Sequence, residues 1–203
     1  SALAAVEKKN PKLINKVIGK FYKGLSESRV IDHLFIFDEN GGMVHYLSED
    51  LISKFALIEV STDVFEKNSD NKTISGFSII NDDICSVIIF KIFSNGRVVG
   101  QVMYAKKILP LVQDFVSSAE ADYIALYAPK PLYTQNYISF EDFKNNLVTD
   151  ATSLSINAKS YSVNKYDLAL LDGTTVPQYF VRDITSAISE YNITFIVAGV
   201  LII

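Results

Sequence analysis

Apolar residues between Asn10 and Leu25 recur every three to four positions, the spacing of one face of an α-helix. Asn10 suits an N-cap and Pro11 the first helical position, so the pattern predicts a helix over residues 11–27. Its apolar stripe comprises Leu13, Ile14, Val17, Ile18, Phe21 and Leu25. The weaker stretch before Pro11 is either part of a long N-terminal helix within residues 1–29 or a separate helical segment.

The hydrophobic pattern then changes to that of β-strands. Val30–Asp38 and Met43–Leu47 are apolar and rich in β-formers, and the turn residues 39–42 between them predict a hairpin. The other elements predicted before residue 119 are a short helix at Glu49–Phe55, strands at Thr73–Asn81, Ile84–Phe93 and Arg97–Lys106, and a helix at Lys107–Ser118. The turn residues Ser94-Asn95-Gly96 predict a hairpin between the last two of these strands.

A second, smaller pattern of strands and helices follows. Its predicted elements are strands at Tyr123–Ala128, Ala158–Leu171 and Val176–Val181, and helices at Phe140–Leu147 and Asp183–Asn192. Ser139 is the predicted N-cap of the first of these helices. Hairpin connections predict antiparallel sheets and disfavour a doubly wound nucleotide-binding fold. The predicted fold class is therefore α+β, a long N-terminal helix followed by two modules with antiparallel sheets. The predicted divisions are residues 1–29, 30–118, 119–186 and 187–203.

The composition of the chain argues against some classes of partner and site. The net charge is −4, and lysines are interleaved with acids, so a nucleic-acid partner is not expected. The single cysteine, Cys85, lies in an apolar run and excludes an internal disulfide and a multi-cysteine metal site.

The last eleven residues, 193–203, carry no charge. A bilayer needs about 20 apolar residues, so this run is too short to span one. We interpret it as the beginning of a transmembrane helix that follows the helix at Asp183–Asn192, with a buried core helix or strand as the alternative. The first interpretation predicts a domain anchored in the inner membrane and exposed to the periplasm or the cell exterior.

Three passages resemble the double Cache sensory domains of bacterial chemoreceptors, sensor histidine kinases and diguanylate cyclases. They are Phe35-Ile36-Phe37-Asp38-Glu39-Asn40-Gly41-Gly42, Ser94-Asn95-Gly96-Arg97-Val98-Val99-Gly100-Gln101-Val102, and the stretch from Asp172-Gly173 through Tyr179-Phe180-Val181-Arg182-Asp183-Ile184-Thr185. The resemblance implies two PAS-like modules, ligand binding in the membrane-distal module and signalling through the exit helix. The chain departs from the amino-acid-binding type, because it has no tryptophan and only three arginines.

No catalytic signature is found, so we expect a protein that is not an enzyme and has no cofactor. The two histidines, His33 and His45, fall on the strands of the first predicted hairpin. Together with Asp32 or Asp38 they offer a metal site or a small hydrolase site as an alternative. A metal site needs three or four converging ligands, and solvated or hydrogen-bonded histidines are the default interpretation, so no metal is predicted.

Candidate ligand contacts lie on the central strands, since a Cache-type pocket is mostly apolar with a few placed polar groups. The predicted contacts are His45, Tyr46, Ser86, Phe90, Lys91 and Tyr104. Lys91 is a charge inside an apolar strand. Strand alternation sends it to solvent by default, and if it points inward instead it requires an anionic partner, such as an organic anion.

The leading hypothesis is a small-molecule-sensing domain of a bacterial transmembrane receptor, of the chemotaxis-receptor or sensor-kinase type. The apolar stripe of the first helix also suits a homodimer. The alternative is a structural or protein-docking domain of a membrane protein, without a small-molecule pocket.

Overall fold

The computed structural model describes residues 2–50, 73–127, 131–134, 136–147 and 152–191. The chain forms two compact units. The first comprises residues 1–109 and 169–174, and the second comprises residues 110–168 and 175–203. Residues 51–55 of the first predicted short helix, and the apolar run 193–203, lie outside the described residues. Within the described part of the chain, no helix combines the length and the apolar character needed to cross a membrane.

The N-terminal region is two helices, α1 (Ala2–Glu7) and α2 (Pro11–Glu27). The predicted helix over 11–27 is confirmed, whereas a single long helix over 1–29 is wrong. The chain turns at Lys9, which has a φ of 47°. Asn10 is extended because a residue before proline disfavours helical torsions, and its side chain accepts a hydrogen bond from the backbone N–H of Leu13. Lys9 and Asn10 therefore form the break between α1 and α2.

The first unit contains a five-stranded antiparallel sheet with the strand order β2-β1-β5-β4-β3. Its strands are β1 (His33–Phe37), β2 (Met43–Ser48), β3 (Ile74–Ile80), β4 (Asp83–Ser94) and β5 (Arg97–Lys107). The predicted hairpins at residues 39–42 and 95–96 are found at their expected places.

Both faces of the first sheet are covered. Leu34 and Ile36 of β1 point to the face where α1 and α2 pack. Phe35 and Phe37 point to the other face, in a core with Ile89 and Met103 among others. This two-sided packing explains why all five residues of β1 are buried.

The second sheet repeats the strand order of the first one. Its order is β7-β6-β10-β9-β8, so that each sheet runs second, first, fifth, fourth and third strand. The strands are β6 (Ala121–Ala125), β7 (Leu132–Tyr133), β8 (Ser153–Ile156), β9 (Lys159–Ala169) and β10 (Thr175–Asp183). The expectation of an α+β fold with two antiparallel sheets is thus confirmed.

The described residues after β5 form three helices: α3 (Leu109–Ser118), α4 (Phe140–Asn146) and α5 (residues 185–191). Ser139 caps α4 and accepts a hydrogen bond from the backbone N–H of Asp142 at 3.0 Å. Phe143 of α4 is fully buried in the core on one face of the sheet, with Ile124, Tyr179 and Val181. The opposite face of this sheet carries the site described next.

Candidate functional site

A cavity of about 500 Å³ lies on the second sheet, on the face opposite the Phe143 core. Its volume falls in the range of small-molecule sites. Helix α3 and strands β6, β9 and β10 provide its described lining. The lining residues are Phe115, Ala119, Ala121, Ser162, Asn164, Tyr166, Gln178, Phe180 and Arg182.

Strand alternation explains why these residues share one face. On β10, Gln178, Phe180 and Arg182 line the cavity, while Tyr179 and Val181 between them point into the opposite core. On β9, the lining residues Ser162 and Asn164 alternate in the same way with the core residues Tyr161 and Val163, and Tyr166 lies further along the same strand face. Each strand therefore has an apolar face that stabilises the module and a mixed face that is available to a ligand.

The aromatic part of the cavity is centred on Phe180. Its ring centroid lies 5.9 Å from that of Phe115 and 5.9 Å from that of Tyr166, with nearly perpendicular ring planes. Tyr123, the cross-strand partner of Phe180, lies beside it on the same face of the sheet, with ring centroids 5.4 Å apart. Phe115 and Tyr166 are 60% and 59% exposed, so two large apolar surfaces flank the Phe180 ring and remain open to solvent. Such rings are suited to the flat face or edge of an apolar ligand.

The polar part of the described lining carries one cation and no carboxylate. Gln178 is only 8% exposed, and its Nε2 has no hydrogen-bond partner among the described residues. Arg182 lies at the other end of the same strand face. No aspartate or glutamate belongs to the described lining. Beside Phe180, burial raises the pKa of Tyr123 to about 12, so this phenol stays neutral.

The cavity is linked by the chain to the helix α5. Arg182 is followed by Asp183, whose carboxylate accepts a hydrogen bond from the backbone N–H of Thr185 at 3.0 Å. Asp183 also lies 3.2 Å from Nζ of Lys159, and the neighbouring Thr185 is the first residue of α5. Arg182 therefore lies three residues before the first residue of α5.

The residues predicted as ligand contacts lie on the first sheet and divide between its two faces. Tyr46 and Lys91 are on the face of Phe35 and Phe37, as the strand register shows. His45, Ser86, Phe90 and Tyr104 are on the opposite face. Phe90 and Tyr104 are in ring contact at 5.3 Å and pack against the core with α1 and α2. The structure thus brings Phe90 and Tyr104 together but separates them from Lys91.

Sequence reasoning did not identify the residues that line the cavity on the second sheet. The signal that was available is the alternation Gln178, Phe180, Arg182, which places an amide, a ring and a cation on one face of a predicted strand. Phe115 and the β9 residues could not be added from sequence, because strand neighbours and helix docking are properties of the fold.

The two histidines of the alternative metal or hydrolase site on the first hairpin do not converge. His33 pairs with Ser48 and shares a face with Phe35, whereas His45 pairs with Ile36 and points to the opposite face. Nδ1 of His33 lies 2.8 Å from the hydroxyl of Ser48. Among the described residues, no group of three or more metal-ligating side chains converges.

Both histidines make the folded state sensitive to acid. Burial, and then the charge of Lys107, lower the pKa of His33, and burial lowers the pKa of His45. The folded chain therefore binds protons more weakly than the unfolded chain, so this contribution to stability is present above about pH 6.5 and is lost as the pH falls below it. We expect the free energy of unfolding, measured in urea, to decrease between pH 7.5 and pH 5.5.

The control for this prediction is the double variant His33→Gln/His45→Gln, since the chain has only two histidines. Its stability should change little over the same pH range. An equally steep pH dependence in the double variant would contradict the assignment to these side chains.

Comparison with known proteins identifies the fold. No protein-family model matches the chain, and no curated protein matches it in sequence. The sensor domain of the Vibrio cholerae histidine kinase DctB aligns with a TM-score of 0.51 and 9% identity, over 90% of this chain and 82% of that domain. The periplasmic domain of Vibrio cholerae LuxQ aligns with a TM-score of 0.50 and 15% identity, over 89% of this chain and 92% of that domain.

The chain has the fold that the DctB sensor domain and the LuxQ periplasmic domain share. The expectation of a sensor-domain fold is confirmed at this level, because both alignments cover most of each chain. At identities of 9% and 15%, the likeness concerns the fold and not the residues of a binding site.

Proposed function

We propose that the chain is the small-molecule-sensing domain of a bacterial transmembrane receptor, of the chemotaxis-receptor or sensor-kinase type. In this proposal the two sheets are the two modules of a double Cache domain, located in the periplasm or outside the cell and anchored in the inner membrane. The fold shared with DctB and LuxQ supports the periplasmic location and a sensing role rather than an enzymatic one.

The observation that carries the proposal is the cavity on the second sheet and its connection to α5. A cavity of about 500 Å³ with open aromatic surfaces and an unpartnered buried amide suits a small molecule. Its strand β10 runs through Arg182 into α5 within three residues. A ligand can shift such a helix only by the difference of its affinities for two positions of that helix.

A homodimer formed through α2 is part of the proposal. Val17 and Phe21 of the predicted apolar stripe are exposed, while Ile14 of the same stripe is buried in the core. Exposed apolar side chains one turn apart on a helix suit packing against the same helix of a second copy.

The sensing proposal is tested by a thermal-shift screen of the 203-residue chain with organic acids, amino acids, amines, purines and metal ions. A compound that binds only the folded state raises the melting temperature, by an amount set by its concentration relative to Kd. We expect one chemical class to do so. If no compound shifts the melting temperature of a well-folded sample, the chain is a structural or protein-docking domain instead.

Variants then assign the site of binding. Loss of the shift in Arg182→Gln places the ligand in the cavity of the second sheet. Loss of the shift in Lys91→Ala or Tyr104→Ala places it at the predicted contacts on one face or the other of the first sheet.

A further inference from the structure

We infer that the cavity of the second sheet binds an aromatic carboxylate with a hydrogen-bond acceptor at its far end. The carboxylate lies at Arg182, the ring lies against Phe180 and the acceptor meets Gln178. This inference rests on the proposed sensing function and names the ligand class of that site.

The first argument is charge. Arg182 is the only charged residue in the described lining of the cavity. Among the described residues, none of the ion pairs involves Arg182, and the adjacent carboxylate of Asp183 is paired with Lys159 instead. A guanidinium offers a planar pair of donors that matches a carboxylate, so an anion of this geometry is favoured over a neutral or cationic ligand.

The second argument is the buried amide of Gln178. Its Nε2 is a donor without an acceptor in a residue that is 8% exposed. An unpaired buried donor is unfavourable, so a ligand oxygen at this position restores a hydrogen bond that the unliganded cavity lacks. This donor selects an acceptor such as a phenol oxygen or a carbonyl.

The third argument is the order of the side chains along β10. Gln178, Phe180 and Arg182 occupy alternate positions of one strand face, so the first and last are about 13 Å apart along the backbone. Both end side chains are long enough to shorten this span toward the ring between them. A ligand with a carboxylate, a ring and an acceptor in a row can therefore place its carboxylate at Arg182, its ring at Phe180 and its acceptor at Gln178.

The fourth argument is the apolar surface on either side of that ring. Phe115 and Tyr166 stand nearly perpendicular to Phe180, with interplanar angles of 87° and 79°. A flat aromatic ring placed among them gains edge-to-face contacts and buries surface that is now exposed. An aliphatic dicarboxylate gains no edge-to-face contact, and its second charge would meet the amide rather than a cation.

The inference is tested by calorimetric titration of the 203-residue chain with four matched probes. They are 4-hydroxyphenylacetate, its neutral amide 4-hydroxyphenylacetamide, the cation tyramine, and phenylacetate, which lacks the hydroxyl group. We expect 4-hydroxyphenylacetate to bind most tightly, the amide at least about tenfold more weakly because the charge-assisted pair is lost, and tyramine not at all.

Two variants assign the ends of the ligand. Arg182→Gln should weaken 4-hydroxyphenylacetate at least about tenfold, whereas Arg97→Gln, at an exposed arginine outside the cavity, should leave it unchanged. Gln178→Leu should abolish the preference for 4-hydroxyphenylacetate over phenylacetate, because that preference depends on the amide donor.

The outcomes separate this inference from the sensing function. Equal binding of the carboxylate and its amide, or unchanged binding in Arg182→Gln, overturns the inference. If all four probes fail while another class in the thermal-shift screen binds, the ligand class is wrong and the sensing function stands. If nothing binds in either experiment, both are wrong.

Discussion

Replacing Asp122 by alanine is expected to destabilise the protein by about 4 kcal/mol, because several buried donors lose their acceptor at once. Asp122 is fully buried on β6. Its carboxylate accepts hydrogen bonds from the hydroxyl of Thr134 at 3.1 Å, and from the backbone N–H groups of Asn136, Tyr137 and Ile138 at 2.7, 2.8 and 2.8 Å. One side chain thus fixes the segment that leads from β7 to α4.

The measurement is urea unfolding followed by far-UV circular dichroism. Asp167→Ala, at an exposed position of β9 in the same sheet, is the matched control and should change the free energy of unfolding by less than about 0.5 kcal/mol.

Asp122→Asn refines the prediction. Its amide keeps one acceptor oxygen and presents an NH₂ group to the donors that Oδ2 now accepts from, so an intermediate loss is expected. Hydrogen exchange should accelerate first at Tyr137 and Ile138, which donate to Oδ2. A loss below about 1 kcal/mol for Asp122→Ala would show that water replaces the carboxylate and that the segment does not depend on it.

Replacing Phe143 by alanine should also cost about 4 kcal/mol, the range for a fully buried aromatic side chain in a packed core. Phe143 of α4 has no exposed surface. Its ring lies 5.2 Å from that of Tyr179 in an edge contact, within the core that includes Ile124 and Val181. The loss combines the removed apolar contacts with the cavity that remains.

The chain offers a control with the same chemistry. Phe115→Ala removes an identical side chain that is 60% exposed on α3, so we expect a loss below about 1 kcal/mol in the same urea titration. Phe115 lines the candidate site, so this variant should instead weaken the binding of an aromatic ligand. Equal destabilisation by the two substitutions would mean that the Phe143 face of the sheet is not the core of this module.

Asp122 and Phe143 stabilise the second sheet on the face opposite the cavity. Strand β10 presents Tyr179 and Val181 to the Phe143 core and Phe180 and Arg182 to the cavity. A well-packed core therefore fixes the position of the residues that a ligand would contact on the other face. Ligand binding by Asp122→Ala or Phe143→Ala should therefore be compared with wild type per amount of folded protein.

Local signals in the sequence were sufficient for several elements. The N-cap Asn10 and Pro11 placed the beginning of α2, and Ser139 placed the beginning of α4, because capping depends on a few adjacent residues. The turns at Gly41-Gly42 and Asn95-Gly96 placed two hairpins, since a tight turn needs residues that tolerate positive φ.

These local signals did not predict the short strands β7 and β8. Strand β7 has two residues and β8 has four, too few to show a period, and their strand geometry depends on β6 and β9 beside them. The carboxylate of Asp122 is buried because it accepts hydrogen bonds from donors 12 to 16 residues away, which the fold brings to it. Alternation predicts that neighbouring residues face opposite ways, but not which way is inside.

By itself the sequence determined the alternation and the caps, and hence an α+β chain of hairpins with two strand-rich halves. Those features depend on residues that are close together along the chain, because backbone torsions and hydrophobic periodicity are local properties. Only the tertiary structure decided which face of each strand is buried, that the histidines diverge, and that Phe115, Phe180 and Arg182 line one cavity. These depend on strand order and helix docking, which bring distant residues together and leave no local pattern.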